Sequence, residues 1–441
     1  MEAGVNSKEI QDQMNSLFSS ILIEQQKINS VKGPTDKNVQ KSLLEAFEKD
    51  RGNKFFYNYL SNGKGHGPFT ELVDGSIKYD LNCSMGVNLL GHSHPLLIKA
   101  HLKAATYDSL MCGNLLPHGP VKTLTEELIK SVAGSNLSHF WFATSGSFAN
   151  DNALKIVWQK TAPKYKIIAF DNAFAGRTIA TQNITHNPDY SQGMPKYLEV
   201  EHIPFYPKDP IEHLEKIWAK DKDSLSAIMM ELIQGEAGFN FANKEYYKSI
   251  CKWGKEKGLY IIIDEVQTFA RTRKLFAFQM FELEKYVDVV TVGKVLQSAG
   301  TFYTKELNPK PGLIAGTWNG PLVGISVGTD ILRYLREGNF YGDDGRIARL
   351  EKTFLEGLSK IGKGKLLNIS GIGTMISFQI GDGSDELATK FLKNLFERGV
   401  ICYKGGKKPT RIRFLIPLSL TEGHIKEIFS LIEETLKEIE C

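Results

Sequence analysis

Two apolar runs that each stop at a charge constrain this chain more than anything else in it. Ile261-Ile262-Ile263 ends at Asp264-Glu265, and thirty residues after Asp264 the run Val287-Asp288-Val289-Val290-Thr291-Val292-Gly293 ends at Lys294. Runs this short and apolar suit strands buried on both faces of a sheet. They belong to a longer rhythm. Residues 139–142, 167–170, 227–230, 260–263 and 287–292 read as strands, and 94–106, 121–132, 149–160 and 244–257 read as helices. Such alternation implies a mostly parallel sheet with helices on both faces. Ligands gather at the carboxyl ends of strands in such sheets, so the two runs would deliver an acid and an amine to one crevice.

The flanks have a different texture. Residues 1–50 are polar, with Ile10, Met14, Leu17, Phe18, Ile21 and Leu22 at helical spacing. That stripe is expected to pack on the body or on a partner subunit. Residues 55–82 read as hairpins, with a turn signal at Asp74-Gly75. Beyond residue 321 come helical stretches at 322–337 and 346–360, then strand, strand, helix, strand, helix over 366–441. The Gly/Lys-rich stretch 404–408 reads as a solvated loop. The expected fold class is α/β: a large, mostly parallel-sheet domain over 81–325 and a smaller α+β domain over 326–441. An N-terminal segment, 1–80, joins the smaller domain and the dimer contacts.

Charge and cysteine usage exclude several classes. The 54 basic and 50 acidic residues leave a net charge of +4, too balanced for a nucleic-acid binder. Cys83, Cys112, Cys251, Cys402 and Cys441 are odd in number and form no Cys-x-x-Cys pair. No metal site or disulfide framework is indicated, and a reducing compartment fits. No window approaches the ~20 apolar residues of a membrane span. The opening Met1-Glu2-Ala3-Gly4 lacks a signal-peptide pattern. A cytoplasmic protein without membrane contact is expected.

An acid facing a desolvated lysine is what pyridoxal phosphate chemistry uses. The lysine forms a Schiff base, and the acid keeps the pyridine nitrogen protonated so that the ring draws electrons. Other strand ends supply matching pieces. Thr144-Ser145-Gly146-Ser147 opens a helix with small residues, which suits either a phosphate at the helix N-terminus or a simple cap. Phe174 and Arg177 follow the next strand, one able to stack on a ring and the other to fork onto a carboxylate. Glu231 and Glu236 follow a third. Arg413 sits inside an apolar strand-like run, where an arginine usually holds a specific anion or a structural acid.

Taken together, over residues 50–430 the chain resembles the class III (ω-amino acid) aminotransferases of fold type I, which use pyridoxal phosphate. The resemblance lies in residues 86–95 (GVNLLGHSHP), Ser145-Gly146-Ser147, Phe174-Ala175-Gly176-Arg177-Thr178, Gln234-Gly235-Glu236-Ala237-Gly238, Asp264-Glu265-Val266-Gln267-Thr268, Lys294 and Thr317-Trp318. It implies that Lys294 holds the cofactor and shuttles the proton, and that Asp264 pairs with the ring nitrogen. Gln267 would contact the ring hydroxyl, Val266 the inner ring face and Phe174 the outer face. Gly146 and Ser147 would bind the phosphate, with Thr317 reaching it from the neighbouring subunit of a homodimer with shared sites. Arg413 would bind the α-carboxylate of glutamate or 2-oxoglutarate, Glu236 would mask Arg413 while an ω-amine is bound, and Arg177 would hold a second carboxylate.

The chain departs from the family in places. Ala175 stands where a bulky residue is usual, Phe269-Ala270-Arg271-Thr272-Arg273 replaces a glycine-rich run, and the segment from Lys294 to Thr317 is short. The residues after Lys294, and the Thr317-Trp318 pair, are similar to the lysine ε-aminotransferase and 4-aminobutyrate aminotransferase branch. The function implied is transfer of a terminal amino group from a small-molecule ω-amino acid to 2-oxoglutarate. An aminomutase or epimerase on the same scaffold is the alternative, and a non-catalytic homologue is the alternative of another class. The loops near Tyr57, Met85 and Cys112, where the donor would be chosen, carry no motif.

Overall fold

The structure is a computed structural model that describes residues 7–57, 59–108, 115–206, 209–362 and 364–439. The chain divides into two compact units. One is Lys103–Gly345; the other combines the described residues up to Leu102 with those from Arg346 onward. The boundaries therefore fall at 102/103 and 345/346 and not at 80/81 and 325/326. The second shift has a clear cause. The helix Leu322–Glu337 packs on the helix Gly119–Ser131 of the larger unit, and Arg333 and Arg336 both pair with Glu127 there.

The larger unit is built on a seven-stranded sheet. In spatial order its strands are Leu137–Ala143, Ala299–Thr304, Val289–Val292, Tyr260–Asp264, Leu225–Met230, Lys166–Phe170 and Val200–Ile203. Ala299–Thr304 runs antiparallel to both neighbours, and the remaining pairings are parallel. Val289–Val292, Leu225–Met230 and Ala299–Thr304 are buried at every position. Continuous apolar strands of this kind need cover on both faces. The helix Gly146–Thr161 buries Ala149, Ala153, Leu154, Ile156 and Val157 against the sheet. The helix Lys244–Glu256 buries Tyr247, Ile250 and Cys251, and its Gly254 lies so close that a Cβ there would come within 2.9 Å of Ile228 and Ile261.

In the smaller unit, Ser61–His66, Phe69–Leu72, Ile77–Asp80 and Val400–Ile401 form one four-stranded sheet. Leu366–Ile372, Met375–Ile380, Arg411–Leu415 and Tyr403–Gly405 form a second. The stretch read as a solvated loop thus begins as an edge strand. Lys404 is tied by its ammonium to both Asp385 oxygens at 2.6 Å and to Thr389 at 2.8 Å. The helix Lys8–Gln25 carries the N-terminal apolar stripe, and none of its residues is buried.

Candidate active site

Asp264 closes its strand directly opposite Thr291 of the neighbouring strand. Lys294 stands three residues further on and opens the single turn Lys294–Leu296. Its φ of 47° lies in the left-handed region, a strain of about 1–3 kcal/mol that non-glycine residues carry mostly at functional sites.

The Asp264 carboxylate is held at both oxygens. Oδ1 accepts the Val266 N–H at 2.8 Å, and Oδ2 accepts the Asn150 side-chain amide at 2.6 Å. That amide also donates to the Ala175 carbonyl at 2.7 Å, and its oxygen accepts the Thr291 hydroxyl at 2.7 Å. Burial pushes the Asp264 carboxyl above the usual carboxylate range. The Val266 N–H, Asn150, the Lys294 ammonium and Thr291 pull it back toward the ionised form. Asn150 was missed as a site residue in the sequence. It lies in the motif that carries Gly146 and Ser147, but only the fold places it beneath the acid.

The helix Gly146–Thr161 begins at the same place. Ser145 is its cap, its hydroxyl accepting the Phe148 N–H at 3.3 Å, so Ser145 does the capping and Ser147 is left for an anion at the positive end of the helix. A Cβ on Gly146 would come within 2.6 Å of Val266 Cγ1, and one on Gly235 within 2.2 Å of Gln267 Oε1. Only glycine allows these walls to close on Val266 and Gln267 as tightly as they do.

One cavity of about 200 Å³ gathers these groups. Lys294, Asp264, Val266 and Gln267 line it from the adjacent strand ends, and Gly146 and Ser147 from the helix start. Phe174, Ala175, Glu231 and Glu236 complete the wall. Ala175 is also part of the hydrophobic core beneath. A larger groove of about 890 Å³ runs along the outer face of the same helix past Phe148, Asp151 and Trp158. It shares no lining residue with the lysine–acid cavity, so size does not mark the site.

Arg177 and Thr317, in the same unit, do not line this cavity. Arg177 is exposed, its guanidinium 4.0 Å over the Tyr190 ring. Thr317 and Trp318 are exposed. Arg413 is buried in Arg411–Leu415 of the smaller unit, opposite Ser377 and Tyr403. Tyr57 and Met85 line a separate cavity of about 340 Å³ in the smaller unit, and Cys112 lies outside the described residues.

The cavity fits pyridoxal phosphate on its own terms. Gln267 Oε1 is buried without a hydrogen-bond partner among the described residues, a condition that costs about 1–3 kcal/mol unless a ligand relieves it. A helix N-terminus for a phosphate, an ionisable acid for a ring nitrogen and a lysine for an aldehyde stand around it. A doubly covered sheet with this set at its strand ends defines a fold type I pyridoxal phosphate enzyme.

The chain belongs to the class III aminotransferases, whose family pattern it matches over residues 51–436. It is 29% identical over 391 residues to an acetylornithine aminotransferase of Caldanaerobacter subterraneus subsp. tengcongensis, covering 85% of this chain and 94% of that one. It is also 29% identical over 405 residues to a 2-aminoadipate transaminase of Pseudomonas putida, covering 85% and 95%. Among solved structures, a transaminase from the marine bacterium Virgibacillus superposes with a TM-score of 0.82 at 20% identity, over 90% of this chain and 98% of that one. The protein is thus a pyridoxal phosphate-dependent aminotransferase, with amino-acid and keto-acid substrates. Among the described residues no helix is long and apolar enough to cross a membrane.

Proposed function

We propose that this aminotransferase takes the terminal amine of an ω-amino acid, of the lysine, 4-aminobutyrate or ornithine type, and passes it to 2-oxoglutarate. The products are a semialdehyde and glutamate. The observation that carries this reading is Glu236 in the wall of the cavity that holds Lys294 and Asp264. In an α-amino acid the carboxylate is bonded to the carbon that loses the amine, which sets it against Glu236. An ω-amino acid brings a CH₂ to that point and keeps its carboxylate at the far end. Like charges at short range in a desolvated site cost several kcal/mol. The relatives named above have different donors in their names at equal identity, so the assignment of the donor rests on the cavity.

Pyridoxal phosphate, when bound, withdraws electrons from the carbon that carries the amine. The chain's own residues do the rest. Gly146 and Ser147 hold the phosphate at the helix N-terminus. Val266 and Phe174 confine the ring between them, and Gln267 takes its hydroxyl. Asp264, whose carboxylate accepts from Asn150 and the Val266 N–H, would hold a proton at the ring nitrogen. Lys294 Nζ would take the proton from the amine-bearing carbon and give it back on the far side of the amine nitrogen, two atoms away. We assign Arg413 to the α-carboxylate of glutamate and Arg177 to a second carboxylate, and Glu236 gives way when glutamate enters. Thr317 is assigned to the phosphate of a partner subunit in a homodimer.

Incubation with a donor labelled at its terminal nitrogen, together with 2-oxoglutarate, tests the reading. Label in glutamate is the expected result. Label returned to the donor's own skeleton would point instead to a mutase.

A further inference from the structure

Glu231 lies outside every role assigned so far, yet it touches two walls of the site at once. It is the first residue after the strand Leu225–Met230. Its Oε1 accepts the Phe174 N–H at 2.9 Å, and its Oε2 accepts the Gly235 N–H at 2.9 Å. The first bond pins the loop that carries the ring-stacking phenylalanine. The second pins the turn in which Gly235 lies against Gln267 and Glu236 follows. We propose that Glu231 is a positioning residue whose carboxylate clamps the Phe174 loop to the Gly235–Glu236 turn and so sets the width of the cofactor seat.

The chemistry favours a carboxylate for this task. A carboxyl group presents an acceptor oxygen to each of the two N–H groups; glutamine would turn a donor toward one of them. A third acid beside Asp264 and Glu236 is costly, and burial and the Asp264 charge push the Glu231 carboxyl up while the two N–H bonds oppose that rise. A group placed at such expense to the local electrostatics is explained by what it holds. The Phe174 loop has other ties: Thr185 Oγ1 accepts from the Ala175 N–H at 3.0 Å, and Asn150 binds the Ala175 carbonyl. Glu231 joins that loop to the turn at Phe174 itself, beside the Gln234 side-chain amide, which donates to the Asp171 carbonyl at 2.8 Å where the loop begins.

The inference rests on the cofactor seat proposed above, and two readouts on Glu231→Gln separate the two. In the cofactor-free protein, hydrogen exchange at the Phe174 and Gly235 amides should quicken at least tenfold. In the loaded enzyme, cofactor should leave about tenfold or more faster on dilution, with weakened visible circular dichroism, as expected for one lost charge-assisted hydrogen bond. Glu231→Asp, which keeps the charge but shortens the reach, should recover part of the dichroism. Unchanged exchange at both amides would overturn the clamp, whatever happens to activity. Faster exchange with cofactor release within twofold of wild type would overturn its role in setting the seat.

Discussion

Asn150 donates its side-chain amide to Asp264 across 2.6 Å while accepting the Thr291 hydroxyl at 2.7 Å. Those two bonds fix which end of the Asn150 side chain faces the acid. They favour the ionised carboxylate and so oppose the rise that burial imposes on Asp264.

Replacing Asn150 with alanine should therefore lower kcat by about 10- to 100-fold, the value of one hydrogen bond to a buried charge. Asn150→Asp should do worse, because it sets a second carboxylate against Asp264. Steady-state kinetics of the three proteins, with thermal melts to exclude unfolding, would check the order.

Gly146→Ala brings a methyl within 2.6 Å of Val266 Cγ1. The expected cost of overpacking is about 1–3 kcal/mol, appearing as weaker cofactor binding. Titration of the cofactor-free variant with pyridoxal phosphate would show it. Unaltered affinity would mean that Val266 does not form the inner wall of the seat.

Glu236→Ala should shift preference between donors. The half-reaction with glutamate should gain on that with the ω-amine by about tenfold, equivalent to roughly 1.4 kcal/mol. Single-turnover rates with each donor measure the ratio. A ratio that stays put would remove Glu236 from the discrimination.

Glu265 supplies a pH prediction. Burial raises its carboxyl to about 7, against the Thr268 hydroxyl and the Phe278 and Ala277 N–H groups that favour ionisation. A folded-state value above the unfolded one means that stability is full at low pH and declines as pH rises through about 7. The penalty of Glu265→Gln relative to wild type should accordingly shrink between about pH 4.5 and 7, by on the order of 3 kcal/mol at most. Melts of both proteins across that window would reveal the trend.

What the sequence made legible follows from where its signals lie. Asp264 and Lys294 stand out because each ends an apolar run, and the fold sets Asp264 beside the strand that leads to Lys294. Ala299–Thr304 gave no comparable signal; Gly300 and two threonines dilute its apolar character, although the strand is wholly buried. Asn150 and Glu231 act through bonds to residues 114 and 57 positions away, a reach that local pattern does not record. The unit boundary at 345/346 was equally hidden, since the helix Leu322–Glu337 is assigned by what it packs against. The strand at Tyr403–Gly405 was masked by its lysine and glycine.

The most direct test of the account is the visible spectrum of the purified, cofactor-loaded protein as candidate amines are added one at a time, followed by 2-oxoglutarate. The account predicts that one ω-amine bleaches the cofactor band, that 2-oxoglutarate restores it, and that Lys294→Ala shows neither change at a comparable rate. A band that no ω-amine bleaches, while α-amino acids do, would contradict the donor class. A Lys294→Ala protein that cycles like wild type would contradict the site itself.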